Sequence, residues 1–122
     1  MKPFRFCPAC GRELHPPAED EGARCDSCRR SWYRHSAPTA GCVIVVDGRA
    51  LVTKRGREPE KGRYDVPGGF LGPGEDPIVG LRREVDEELG IAIDVSVDDC
   101  VQMVTHRYGA EGDWVLALGF KA

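Results

Sequence analysis

The stretch from Gly69 to Ile91, GFLGPGEDPIVGLRREVDEELGI, leaves its part of the chain few ways to fold. Between Pro67 and Gly74 there are four glycines and two prolines, a composition that makes a tight loop and cannot sustain a helix. The spacing predicts a helix beginning at Asp76 and Pro77, with aspartate as N-cap and proline in the first helical position. It runs through Leu89 and stops at Gly90, a good residue to follow a helix in the left-handed conformation. Ile78, Leu81, Val85 and Leu89 recur at helical spacing and define its apolar face. Glu84, Glu87 and Glu88 stand at i, i+3 and i+4 and share another face.

Like charges at that spacing repel by a few tenths of a kcal/mol. A solvated acidic face is one reading of them. The other takes the upstream glycine loop into account. Hard divalent cations such as Mg²⁺ bind carboxylate oxygens and share their remaining positions with water and substrate phosphates. Three carboxylates facing a glycine loop suit a metal-held diphosphate.

Gly69, Glu75, Arg83-Glu84, Val85, Glu87-Glu88, Gly90 and Ile91 fill every fixed position of the pattern G-x5-E-x7-R-E-U-x-E-E-x-G-U, where U is apolar. The segment therefore resembles the Nudix box. The resemblance implies an α/β fold, an α/β/α sandwich with a mixed sheet, and a loop-helix-loop that carries Mg²⁺ or Mn²⁺. It implies hydrolysis of a nucleoside diphosphate linked to another group, a small-molecule substrate. Glu84, Glu87 and Glu88 are the expected metal ligands, and Arg83 is expected to orient a neighbouring carboxylate, Glu75. Gly69 is expected to let the loop bend against the helix, and Gly68 and Gly69 to form the cofactor-binding turn. The general base is left open between the box and a later loop.

Size and charge bound the rest. The chain has 122 residues and a formal charge of −3, which suits one modest domain, or a small module plus a compact one. The net charge gives no electrostatic reason to expect nucleic acid or an anionic membrane as a partner. The start, MKPFRFCPACGR, lacks the apolar run of a signal peptide, and Cys42 to Val46 is too short to span a bilayer. A cytoplasmic protein is the default expectation, and there six cysteines do not form a disulfide framework.

Four of them form two pairs, Cys7-x2-Cys10 and Cys25-x2-Cys28, with fourteen residues between. This is the spacing of a tetrahedral zinc site, and with all four positions filled by thiolates the site is structural. Two disulfides are the competing reading. Residues 1–34 hold too few apolar side chains for a core, so Zn²⁺ supplies much of their folding free energy. The segment resembles a zinc ribbon. His15 and His35 are conceivable ligands that four thiolates make unnecessary. Cys42 and Cys100, in apolar surroundings, read as small buried thiols. Residues 35–39 read as a linker between the ribbon and a Nudix domain over 40–122. Trp32 and Tyr33, just before it, pack on the apolar side of the ribbon or on the seam with the next domain or, alternatively, stack on a base.

From Ala40 the pattern turns to strands: Cys42–Val46, an Asp47-Gly48 turn, Ala50–Lys54, and a short piece at Tyr64–Val66. The basic cluster Lys54, Arg55, Arg57, Lys61 and Arg63 either meets substrate phosphates or is simply solvated. After the box, Ile91–Val97, Val101–Tyr108 and Trp114–Phe120 read as three more strands. The family normally continues with a further strand and helix, so this chain is expected to be a fragment or to be closed by another copy, a homodimer. Ribbon and box together resemble NADH pyrophosphatases, and Asp65 to Glu75 resembles ADP-ribose pyrophosphatases. A dinucleotide such as NADH, or ADP-ribose, is the expected substrate. The alternatives are a nucleoside triphosphate cleansing enzyme and a non-catalytic nucleotide sensor.

Overall fold

In a computed structural model, residues 5–15, 22–109 and 112–122 are described. The chain divides into two compact units, Met1–His35 and Ser36–Ala122.

The first unit is built on two turns of the same design. In one, the Cys7 N–H donates to the Arg12 carbonyl (2.7 Å) and the Gly11 N–H to the Cys7 carbonyl (2.8 Å). In the other, the Cys25 N–H donates to the Arg30 carbonyl (2.9 Å) and the Arg29 N–H to the Cys25 carbonyl (2.8 Å). Two short antiparallel strands, β1 (Ala23–Arg24) and β2 (Ser31–Trp32), flank the second turn. Cys7, Leu14 and Cys25 are buried, with Trp32 packed against them. The first alternative for Trp32 is what is seen: it is part of this small core. Its indole N–H is buried and has no partner among the described residues.

The second unit is a mixed sheet with one helix. β3 (Ala37–Val46) runs parallel to β9 (Asp113–Lys121), which pairs antiparallel with β8 (Cys100–Tyr108). The other edge of β3 is shared by β7 (Gly68–Phe70), opposite Thr39–Gly41, and β4 (Arg49–Leu51), opposite Ile44–Val46. A separate two-stranded ribbon pairs β5 (Thr53–Lys54) with β6 (Tyr64–Asp65). The β3–β4 turn is the expected one, with Asp47 (φ 50°) and Gly48 (φ 72°) both left-handed, as a two-residue hairpin requires.

The helix α1 (Pro77–Leu89) has the predicted bounds. Asp76 caps it, accepting from the N–H groups of Ile78 (2.9 Å) and Val79 (3.2 Å), and Gly90 ends it at φ 66°. Leu81 and Val85 are fully buried, and they pack with Ala40, Cys42 and Ile44 from alternate positions of β3 and with Phe120 and Val95. Burying one such aliphatic side chain is worth about 1.5–3 kcal/mol, so helix and sheet hold each other.

Three expectations change. The glycine stretch is not loop throughout: Gly68–Phe70 pair with β3 because glycine permits a close approach, a Cβ on Gly68 (φ 143°) falling on the Ala40 carbonyl. Strand structure already begins at Ala37, inside the stretch read as a linker. Ile91–Val97 forms no strand, since no neighbour offers it a ladder. Val95 fills the core while Ser96 and Asp99 cap a single 3₁₀ turn at Val97–Asp99, the Asp99 carboxylate accepting from the Ser96 N–H and hydroxyl at 2.8 Å. Among the described residues two strands follow the helix, not three.

Candidate active site

The register that brings β7 onto β3 also lays the glycines along the acidic face of α1. The Glu84 carboxylate rests on the Cα of Gly69, so closely that a Cβ there would collide with it. The Gly68 N–H donates to Glu88 Oε2 (3.2 Å). Arg83, on the same face, ties the carboxylates together. Its Nε donates to Glu75 Oε1 (2.8 Å), Nη2 to Glu75 Oε2 (3.0 Å), and Nη1 to Glu84 Oε1 (2.8 Å) and Glu87 Oε2 (3.2 Å). The fork on Glu75 is bidentate, the strongest geometry for this pair. Glu75 also accepts from the Gly72 N–H (2.7 Å), so it closes the loop onto the helix.

The electrostatic consequence is clear at Glu75. Hydrogen bonds from Arg83, then from Gly72, hold its carboxyl down at about 2, while Glu75 and Glu84 push the Arg83 guanidinium further up.

The structure thus brings Gly68, Gly69, Glu75, Arg83, Glu84 and Glu88 together, and Glu87 through Arg83. It does not gather Glu84, Glu87 and Glu88 onto one point, because the Arg83 Nη1 stands between Glu84 and Glu87. Their oxygen donors still suit a hard cation. Glu87 is the looser partner of Arg83, with more than half of its side chain exposed.

Of the basic cluster, Arg55 is committed to structure. It donates to the Pro59 carbonyl (2.7 Å), Asp65 (2.8 Å) and the Tyr108 hydroxyl (2.9 Å), fastening the β5–β6 ribbon to the end of β8. Arg63 pairs with Glu60 (2.7 Å), and Lys54, Arg57 and Lys61 are exposed. Sequence reasoning missed the aromatic pair beside the glycines, in which the Phe70 ring meets Tyr108 edge-on at 5.5 Å. Phe70 follows Gly69 directly and had a local signal; Tyr108 comes from a distant strand and had none.

In the first unit the four cysteines converge. Their sulfurs lie within 4.8 Å of one another, with Cys7 Sγ to Cys28 Sγ and Cys10 Sγ to Cys25 Sγ both 3.6 Å. That is too far for a disulfide of about 2.05 Å and near the separation of about 3.8 Å that tetrahedral Zn–S bonds of about 2.3 Å demand. The backbone also suits thiolates. Burial alone would raise the Cys7 thiol, but N–H groups of Ala9 and Cys10 bring it down to about 6, and the Cys28 N–H lowers Cys25. At Cys10 the Arg12 N–H lowers the thiol, yet burial and the neighbouring sulfurs outweigh it and leave it near 11. The four cysteines fit the zinc ribbon. His15 faces Glu13 instead (3.7 Å). Cys42 is buried among core side chains, which raises its thiol, while Cys100 is only partly buried.

Residues 35–118 match the family model described as the NUDIX domain. The chain belongs to the Nudix family. A solved Nudix relative, a "MutT NUDIX hydrolase" from Burkholderia pseudomallei, is 35% identical with a TM-score of 0.66, over 73% of this chain and 67% of that one. Two curated relatives bear the name "NAD-capped RNA hydrolase NudC". The one from Chromobacterium violaceum is 35% identical over 89 residues, and the one from Vibrio atlanticus is 36% identical over 93. These alignments cover 73% and 74% of the Nudix chain. It spans about a third of the length of those relatives, 33% in each case. Among the described residues no helix is long and apolar enough to cross a membrane.

Proposed function

We propose that the Nudix unit hydrolyses the diphosphate bond of a dinucleotide such as NADH, or of ADP-ribose, releasing two monophosphates. The observation that carries this reading is the seating of the Glu84 carboxylate on Gly69 and of Glu88 on the Gly68 N–H, which puts helix carboxylates where a glycine backbone gives a phosphate room. The names of the NudC relatives support a substrate of the NAD type. Glu84, Glu87 and Glu88 would hold Mg²⁺ or Mn²⁺, which when bound neutralises phosphate charge and lowers the pKa of water.

The other roles belong to the chain's own residues. Arg83, locked bidentately on Glu75, keeps Glu84 turned to the glycines and keeps the loop closed. Glu87 is held only by the longer contact and changes partner at least cost. The four-cysteine module contributes a zinc-dependent fold, not a catalytic ion, since no ligand position is left open.

The test is to supply Mg²⁺ or Mn²⁺ and follow NADH, ADP-ribose and deoxynucleoside triphosphates by product analysis, for the parent and for Glu87→Gln. NADH or ADP-ribose should yield two monophosphates, with turnover down about a hundredfold in the variant, the order of effect when a charge-stabilising group is lost. Turnover of the triphosphates alone would replace this substrate with that of a cleansing enzyme. Turnover unchanged by Glu87→Gln would remove the carboxylate assignment.

A further inference from the structure

The four thiols of the cysteine turns differ in access. Cys7 and Cys25, which open the two turns, are buried, while Cys10 is exposed and Cys28 partly so. Each buried sulfur stands 3.6 Å from a more accessible sulfur of the opposite turn: Cys7 faces Cys28, and Cys25 faces Cys10. The cluster thus contains two crossed pairs, each with one sulfur that solvent reaches and one that it does not.

A pair of this kind lets oxidation stop at a reversible stage. A sulfenic acid condenses with a neighbouring thiol to a disulfide, and without one it goes on to irreversible sulfinic acid. A buried resolving thiol is shielded from the oxidant and already lies beside its target. Sulfurs held on zinc stand about 3.8 Å apart, whereas a disulfide needs about 2.05 Å. Metal binding and disulfide formation therefore exclude each other.

We propose that the four-cysteine module is a site of reversible oxidation by a hydroperoxide: Cys10 and Cys28 react first, Cys25 and Cys7 resolve them, and the disulfides Cys10–Cys25 and Cys7–Cys28 replace the bound zinc. In each pair the accessible thiolate attacks a peroxide oxygen, forming S–O as O–O breaks, and the departing hydroxide takes a proton to become water. The buried thiolate then attacks the sulfenic sulfur, forming S–S as S–O breaks, and a second hydroxide leaves and is protonated to water. Two electrons pass from each sulfur pair to one peroxide. For the whole module, four thiolates, two hydrogen peroxide molecules and four protons give two disulfides and four waters, with Zn²⁺ released in its original oxidation state.

The pairing decides what becomes of the fold. Both bonds run between the turns, across sequence separations of 21 and 15, and in the chain-entropy model cross-links that close longer loops restrain the unfolded chain more. Bonds within Cys7-x2-Cys10 and Cys25-x2-Cys28 would leave the turns unjoined. Crossed bonds keep the turns together around Leu14 and Trp32. The oxidised module is therefore free of metal yet ordered, unlike one stripped by a chelator with its thiols reduced. The inference stands on the ribbon residues alone and does not require the proposed hydrolysis.

The experiment treats the zinc-loaded full chain with two equivalents of hydrogen peroxide beside a chromogenic zinc indicator, then blocks the remaining thiols under denaturing conditions. One zinc per chain should be released, with Cys42 and Cys100 recovered as alkylated thiols. Trypsin cuts after Arg5, Arg12, Arg24 and Arg29, so the cysteines of each turn share a peptide, Phe6–Arg12 or Cys25–Arg29. Crossed bonds join these two peptides and bonds within a turn leave them apart, while fragmentation between the cysteines identifies the partners. In the oxidised chain the Cys7 and Cys25 amides, which donate within their turns, should stay protected from exchange, and dithiothreitol with Zn²⁺ should restore the starting state. Retention of zinc, unlinked peptides, a Cys7–Cys25 bond, sulfinic acid at Cys10, or protection as low as in the chelated and reduced chain would each overturn the proposal.

Discussion

Glycine 69 is the residue on which the site turns, and its role is one of space, not of backbone freedom. Its φ is not positive; what matters is that the Glu84 carboxylate occupies the place of a side chain. Gly69→Ala should therefore leave the fold intact by circular dichroism and displace Glu84, cutting metal-dependent turnover at least tenfold, or about 1.4 kcal/mol of barrier. Gly80 makes the opposite point. Helix propensity alone favours alanine there by about 1 kcal/mol, but an added Cβ would lie 2.5 Å from Leu71 Cδ2 and 3.0 Å from the Glu75 carboxyl carbon. Gly80→Ala should gain less than that in chemical denaturation. Glu75 gives the pH dependence. Its folded-state pKa, about 2, lies below the usual 4.5, so its contribution is present above pH 4.5 and is lost as the pH falls toward 2. Acid unfolding of Glu75→Gln should be flatter over that window.

The element read best is α1, because its limits are set by its own residues. Asp76, Pro77 and Gly90 mark its ends, and Leu81 and Val85 its buried face. Asp76→Ala should cost about 1 kcal/mol, the usual worth of a cap, read from a thermal or urea midpoint. Elements that depend on a partner were less legible. Ile91–Val97 has strand-like apolar residues and no neighbour to pair with, so it became a path that delivers Val95 to the core. Gly68–Phe70 has poor strand propensity and pairs all the same, since β3 lies close enough only for glycine. In the candidate site the box residues were legible from spacing. The cage that Arg83 builds around Glu75, Glu84 and Glu87 was legible only for Glu75.

At the scale of the whole molecule the two units are held by different forces. Among the described residues the first buries Leu14 and two of its own thiols, Cys7 and Cys25, while the second has a cluster built from helix and sheet. A chelator strong enough to strip zinc should abolish the order of residues 5–15 and 22–35 and leave the second unit folded, which amide exchange would show as loss of protection in one unit alone. Uniform loss, or none, would contradict this division. The parallel pairing of β3 with β9 has a consequence in time. Ala37 meets Val115 and Val43 meets Lys121, so the central strand waits for a segment almost the full length of the unit away. Closing so long a loop is entropically costly before any contact rewards it. The cysteine turns close over a few residues. On refolding in the presence of zinc, the small unit should form first, and the glycines should reach the acidic face of α1 only in the slower phase that seats β9.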